Sequence, residues 1–291
     1  MSDMRTTSPI LEARSVTRKY GTKVALNNLD LTVNEPGVVG LLGRNGAGKS
    51  TLLRILMGQD LPTSGEARLF GERPFDNAAV LSRVCMALDH PEYGSLRTVS
   101  DLLEVSASIY SRWDAAQAKR LIDRFELDTK KKLKALSRGM QTSLALLIGL
   151  SSCAELTLFD EPSLGLDAVM RERFYDLLIE AKRSQPERCF VVSTHLIEEV
   201  ARTLDSVRMI EDGRLLAQGG VDELTKDAYM LTGAGAEKPE YAELMKREDY
   251  NGLTTLYLRG KRPDQLPPGA TITPISLQRL FVLMTDKELD A

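Results

Sequence analysis

Gly43-Arg44-Asn45-Gly46-Ala47-Gly48-Lys49-Ser50-Thr51 decides how the rest of this chain is read. It fits the pattern G-x-x-x-x-G-K-[ST], a loop that cradles phosphate. Its flanks strengthen the reading. Val38 to Leu42 is a short apolar run of the buried-strand kind, and Leu52 to Met57 has the spacing of an amphipathic helix. Strand, glycine-rich loop and helix in that order bring backbone N–H groups and the positive end of a helix to one point, where an anion is held. There Lys49 reaches the β and γ phosphates of a nucleotide, and Ser50 offers its hydroxyl to Mg²⁺.

Working outward, Leu156-Thr157-Leu158-Phe159-Asp160-Glu161 is an apolar run that ends in two acids. Carboxylates at the C-terminal end of a strand sit on the edge where open α/β sheets bind ligands. One acid can hold Mg²⁺ through its water and the other can polarise an attacking water; the plain alternative is a solvated acidic turn. Cys189 to Ser193 is a second apolar run, closed by Thr194 and His195, with His195 either structural or placed on the same edge. Ser137-Arg138-Gly139-Met140 opens a long apolar helix, as a simple N-cap or as a second anion site built from the Ser137 hydroxyl and the Gly139 N–H. Ser163 to Asp167 is a turn that caps the helix from Ala168 to Arg183. Tyr20, at the head of a turn Arg18-Lys19-Tyr20-Gly21, is a rim tyrosine or a face for an adenine ring.

The remaining segments place these motifs. Ile10 to Thr17 and Val24 to Val33 alternate as half-buried strands, Glu66 to Phe70 and Val84 to Leu88 are further strands, and Val207 to Ala217 is a hairpin. Ser100 to Tyr110 and Asp114 to Phe125 have helical spacing, so the stretch from Thr98 to Leu136 is a helical insert in an α/β sheet. Its basic run, Lys130 to Lys134, is a solvated face. Beyond Gly220 the pattern weakens to a small α+β appendage: Glu240 to Arg247 as helix, Leu253 to Arg259 and Ala270 to Ile275 as strands, Ser276 to Thr285 as helix.

Lys and Arg number 38 against 41 Asp and Glu, a formal net charge of −3, which argues against a nucleic-acid binder driven by bulk electrostatics. Cys85, Cys153 and Cys189 form neither a metal pattern nor a disulfide framework and read as buried small hydrophobes of a reducing compartment. Met1 to Pro9 lacks the apolar core of a secretory signal. No run reaches the roughly 18–20 apolar residues that span a bilayer, since Leu144 to Phe159 is broken by Ser151, Ser152 and Glu155.

Together these residues resemble the ATP-binding cassette family, the ATPase subunits of ABC transporters, over about Ile10 to Glu223. Gly43 to Ser50 matches Walker A, Leu156 to Glu161 Walker B with its following glutamate, Leu136 to Met140 the signature, and Ser163 to Asp167 the D-loop. His195 falls where the family's switch histidine falls, Tyr20 where its adenine-stacking aromatic falls, and Asp89 where it usually has Gln. The signature reads Leu-Ser-Arg-Gly-Met, with Arg138 and Met140 where the commonest form has Gly and Gln.

The resemblance implies a P-loop NTPase core with an antiparallel β subdomain and a helical subdomain. Residues 1–223 form the ATPase domain, its helical part about 92–150, and 224–291 a small C-terminal accessory domain. ATP and Mg²⁺ are the implied cofactors, with Ser50, Asp89 and Asp160 toward the metal and Glu161 and His195 as the catalytic pair. ATP bound to the loop Gly43, Arg44, Asn45, Gly46, Ala47, Gly48, Lys49, Ser50, Thr51 of one subunit would be covered by Ser137, Arg138, Gly139, Met140 and Asp167 of another, a second copy or a paralogue. Transmembrane permeases on separate chains would tie the subunit to the inner face of the cell membrane from the cytoplasm. The variants and the appendage point to an ABC-2-type bacterial exporter associated with antimicrobial peptides or cell-envelope stress. A nucleotide-gated switch with slow turnover is the alternative; a DNA-repair ATPase would need a long coiled-coil insert that this chain lacks.

Overall fold

The computed structural model describes residues 8–87, 95–263, 265, 266 and 268–286. Two long strands come first, β1 (Leu11–Tyr20) and β2 (Lys23–Val33), then β3 (Gly37–Leu42) and helix α1 (Lys49–Leu56). β4 (Ser64–Leu69) returns to the first pair, and α2 (Ala78–Leu81) leads into β5 (Val84–Ala87). Helices α3 (Val99–Ile109), α4 (Ala115–Arg124) and α5 (Arg138–Ser151) precede β6 (Leu156–Asp160), α6 (Ala168–Ser184), β7 (Cys189–Thr194) and the one-turn α7 (Ile197–Val200). The hairpin β8 (Ser206–Glu211) and β9 (Arg214–Gly220) is followed by α8 (Val221–Thr225). The chain then runs through β10 (Ala228–Gly233), β11 (Ala242–Tyr250), β12 (Leu253–Gly260), β13 (Thr271–Pro274) and α9 (Leu277–Thr285).

A six-stranded sheet in the order β5-β6-β7-β3-β8-β9 carries the fold. It is parallel from β5 to β8, and β9 runs antiparallel at one edge. Every residue of β3 is buried, as a parallel strand covered on both faces requires. Val38 and Leu42 point into one core with α5 and α6, while Val39 and Leu41 point into another with α1 and the antiparallel sheet β2-β1-β4. The inserted helices α3 and α4 pack on α5 through Val99, Ala118 and Leu121. Thr98 and Asp101 form a capping box at α3, so that helix begins ahead of Ser100.

Two sequence expectations change. Arg18 to Tyr20 continue β1, and the turn is Gly21-Thr22. Glu240 to Arg247 is not a helix: β11 lies on the edge of the four-stranded antiparallel sheet β11-β12-β10-β13. Ala242, Glu243, Leu244 and Lys246 favour a helix by themselves, but eight residues of β11 pair with β12, and that pairing overrides propensity. The three cysteines are buried and free, as expected. Burial raises the thiol pKa of Cys85 and pushes that of Cys189 up to about 12.

The register of the central sheet sets up the site. Leu42 lies opposite Thr194, and Asp160 opposite Ser193. The next residues along each strand, Gly43, Glu161 and His195, therefore leave the sheet side by side at one edge.

Candidate active site

The glycine-rich loop is held open by contacts that exclude side chains. A Cβ on Gly43 would lie 2.4 Å from the Ile210 carbonyl oxygen, and one on Gly48, whose φ is +110°, would lie 2.6 Å from that of Ala25. The loop thus rests on β8 at Ile210 and on β2 at Ala25, and only glycine admits that approach. Lys49 is 5% exposed. A buried ammonium needs acceptors: its Nζ donates to the carbonyls of Gly43 at 2.8 Å and Arg44 at 3.3 Å, and lies 3.3 Å from Glu161 Oε1.

Glu161 joins three elements. Its Oε2 is 3.0 Å from His195 Nδ1, its Oε1 meets Lys49, and its N–H donates to Ser193 O at 2.8 Å. Its φ is +49°, a left-handed conformation that non-glycine residues rarely hold. That turn bends the chain out of β6 and aims the carboxylate at the loop, a strain of the sort found at functional sites. Asp160, still in the strand, accepts at Oδ1 from the Ser193 hydroxyl at 2.9 Å. Among the described residues its other oxygen has no hydrogen-bond partner.

Tyr20, Asn45, Gly46, Gly48, Lys49, Ser50, Thr51 and Glu161 line one cavity of about 250 Å³, joined by Lys23 and Ala25. Tyr20 is clamped there. Its Oη donates to Asp60 Oδ2 at 2.5 Å. Arg18 binds both oxygens of Asp60, Nε to Oδ2 at 3.0 Å and Nη2 to Oδ1 at 2.6 Å, and its guanidinium carbon stands 4.5 Å from the centre of the tyrosine ring. Burial works against the Asp60 carboxylate, but the hydrogen bond from Tyr20, the Leu61 N–H and Arg18 outweigh it and hold its pKa below the usual range. A second, polar cavity of about 550 Å³ lies on the outer side of the loop, lined by Gly43 to Ala47, His195, Glu211, Asp212 and Phe281.

The signature residues stand elsewhere. Ser137 Oγ accepts from Met140 N–H at 3.3 Å and caps α5, while Asp167 Oδ1 accepts from Met170 N–H at 2.8 Å and caps α6. The two helix starts are joined by Thr142, whose hydroxyl donates to the Leu164 carbonyl at 3.1 Å. Ser137, Arg138 and Asp167 are exposed. None of Ser137, Arg138, Gly139, Met140 or Asp167 is among the described residues lining the loop cavity. Asp89 lies outside the described residues.

Sequence reasoning missed three residues, two that build this region and one that ties the sheet at the opposite end of β7. Asp60 and Arg18 carry no motif, and only proximity in the fold joins them to Tyr20. Arg188 precedes the apolar run of β7 and looks like a surface charge, yet it is 0% exposed. Its donors reach the carbonyls of Ala154 at 3.0 Å, Leu150 at 3.0 Å and Gly149 at 3.1 Å, together with Gln185 and Thr157. A guanidinium has five N–H donors, and here neutral oxygens take them up, so the end of α5 is tied to the start of β7.

For a divalent cation the donors are hard oxygens, the Ser50 hydroxyl at the start of α1 and the carboxylate of Asp160. Mg²⁺ takes one or two protein oxygens and keeps waters, so this donor set fits it.

The ABC transporter family profile matches residues 26–164. Among curated proteins, the bacitracin transport ATP-binding protein BcrA of Bacillus licheniformis is 31% identical over 75% of this chain and 72% of its own length. The Nod factor export ATP-binding protein I of Ralstonia nicotianae is 32% identical over 97% of this chain and 95% of its own. Among solved structures, an ATP-binding subunit of an ABC transporter aligns with TM-score 0.66 and 25% identity, covering 74% of this chain and 91% of that one. The dimeric cassette MJ0796, in a post-hydrolysis state bound to ADP and Pi, aligns with TM-score 0.61 and 25% identity over 72% of this chain and 98% of its own.

Proposed function

This chain belongs to the ABC transporter family as an ATP-binding, ATP-hydrolysing subunit, and on that premise we propose that it drives an exporter by ATP-dependent closure of two such subunits. The observation that carries the reading is Glu161 seated between Lys49 and His195 beside the loop cavity. In the proposed assignment the base of ATP stacks on Tyr20, and the loop Gly43 to Thr51 takes the phosphates. Phosphate oxygens compete with Glu161 for the Lys49 ammonium. Once Lys49 turns to phosphate, Glu161 Oε1 is released to accept a proton from water, while His195 holds the other oxygen and faces the terminal phosphate. Ser50 and Asp160, with Asp89 as a further candidate, would hold Mg²⁺, which when bound would neutralise phosphate charge.

The signature residues support a second subunit. Ser137, Arg138 and Asp167 are exposed, Gly139 and Met140 half-buried; all sit at helix N-termini, and none is among the described residues that line the loop cavity of their own chain. In the proposed dimer Ser137, Arg138, Gly139, Met140 and Asp167 of one subunit close over the nucleotide of the other. A partner for the second position is another copy or a paralogue. The permease is proposed as a separate chain; no helix among the described residues is long and apolar enough to cross a membrane. We infer a place on the cytoplasmic face of the cell membrane through that partner, with residues 1–223 as the ATPase unit and 224–291 as an accessory unit. The bacitracin transport relative and the Nod factor export relative favour export, of an antimicrobial peptide or a cell-envelope-related compound.

The test is the ATPase rate and oligomeric state of the purified chain beside Glu161→Gln. The expected result is turnover by the parent, a loss of roughly 10²–10⁴-fold in the variant as for removal of a general base, and an ATP-dependent dimer of the variant. A variant that hydrolyses ATP at the parent rate would remove Glu161 from its role.

A further inference from the structure

We propose that α9 of the C-terminal unit is a positioning element for His195, acting through Gln278 and Phe281. The proposal rests on the reading of His195 as a residue of the hydrolytic site. The C-terminal sheet has a core of its own, formed by Tyr229, Leu231, Ala242, Leu256 and Leu258. Helix α9 is shared. Leu280 and Leu283 pack with Ala228, Tyr257 and Ile275 of the C-terminal unit. Leu277 and Phe281, four residues apart and so on one stripe, belong instead to the large core beneath the catalytic edge, with Ile197 and Val200 of α7.

His195 stands between the end of β7 and the start of α7. A helix of four residues has little stability of its own, and what it packs against sets its orientation. The residue at its N-cap, Leu196, makes no side-chain cap. The Glu198 N–H, one of the amides left over at such an end, donates to Gln278 Oε1 at 3.0 Å. α9 thus supplies from a distance of 80 residues the cap that α7 lacks. Phe281 adds a wall: it lines the 550 Å³ cavity that also contains His195 and Gly43 to Ala47. Cap and wall act on the same short segment, and the residue that segment carries is 3.0 Å from Glu161. Displacements of about 1 Å in a reacting constellation cost up to 10²-fold in rate, so a small tilt of α7 is felt in turnover.

The experiment is a double-mutant cycle on the full chain, with steady-state kinetics in ATP. Gln278 is exposed, so Gln278→Leu removes the acceptor without opening the core. kcat is expected to fall roughly three- to ten-fold, a partial version of the full displacement penalty, with KM for ATP unchanged because Gln278 is not among the residues that line the loop cavity with Tyr20. Gln278→Glu keeps an acceptor oxygen and restores kcat; Phe281→Leu lowers kcat in the same way; Val282→Ala, on the exposed side of α9, leaves it alone. On a His195→Ala background Gln278→Leu adds no further loss, since the two act as one unit. Additive losses, or a Gln278→Leu enzyme with the parent kcat, overturn the proposal and leave the site assignment standing. If His195→Ala itself has the parent rate, the site assignment fails first.

Discussion

Two corners of the molecule carry the motifs, and they are built in opposite ways. At the glycine-rich loop, polar groups interlock: buried Lys49 meets half-buried Glu161, Glu161 meets His195, and Tyr20 is fixed by Asp60 and Arg18. At the start of α5 and α6, the polar side chains of Ser137 and Asp167 satisfy helix amides and otherwise face outward. The first corner is a cavity with a lining; the second presents exposed Ser137, Arg138 and Asp167, which are not among the described residues of that lining. A chain with a socket at one place and its complement at another is suited to act in pairs, and this asymmetry is what supports the proposed closure of two subunits.

The comparison can be broken at either corner. Lys49→Ala should have the largest effect. It removes charge-assisted hydrogen bonds to phosphate, worth about 1.5–3 kcal/mol, and ATP affinity should drop roughly ten- to a hundred-fold by titration with a fluorescent analogue; an unchanged affinity would mean that the cavity is not a phosphate socket. Ser137→Ala comes next. Loss of the cap costs about 1 kcal/mol in thermal or denaturant unfolding, while ATP binding by the single subunit stays at the parent value and the ATP-dependent dimer of Glu161→Gln weakens. Weaker binding by the monomer would erase the distinction between the corners. Asp60→Ala should be mildest. Freed of its anchor, Tyr20 loses its fixed pose, and KM for ATP should rise roughly two- to five-fold, in line with the loss of about 0.5–1 kcal/mol of aromatic contact, with kcat and the binding of inorganic tripolyphosphate unchanged. A parallel loss of tripolyphosphate binding would show that Asp60 supports the loop in general and not the base.

Much of this was legible in the sequence because it is local. Gly43 to Thr51 with its flanks, the acids closing β6, His195 closing β7 and the caps Ser137 and Asp167 depend on neighbours a few residues away. What was not legible depends on distant pairing. The Glu240 to Arg247 stretch has helix-forming residues and becomes a strand because β12 is there to pair with it. Asp60 matters through Arg18 and Tyr20, some 40 residues earlier. Gln278 reaches Glu198 across 80 residues. No local pattern encodes such contacts, and Asp89, the site candidate on which the departure from the family turned, falls outside the described residues.

The buried Arg188 has a mechanical meaning. It fastens the C-terminal end of α5 to the foot of β7, while the other end of the same helix, at Ser137, is exposed. A 14-residue helix is about 21 Å long. Over that length a rotation of about 5° about the guanidinium moves the tip by roughly 2 Å, and Thr142 with its bond to the Leu164 carbonyl moves with it. Whatever presses on the signature tip therefore pushes against the root of the strand that ends at His195.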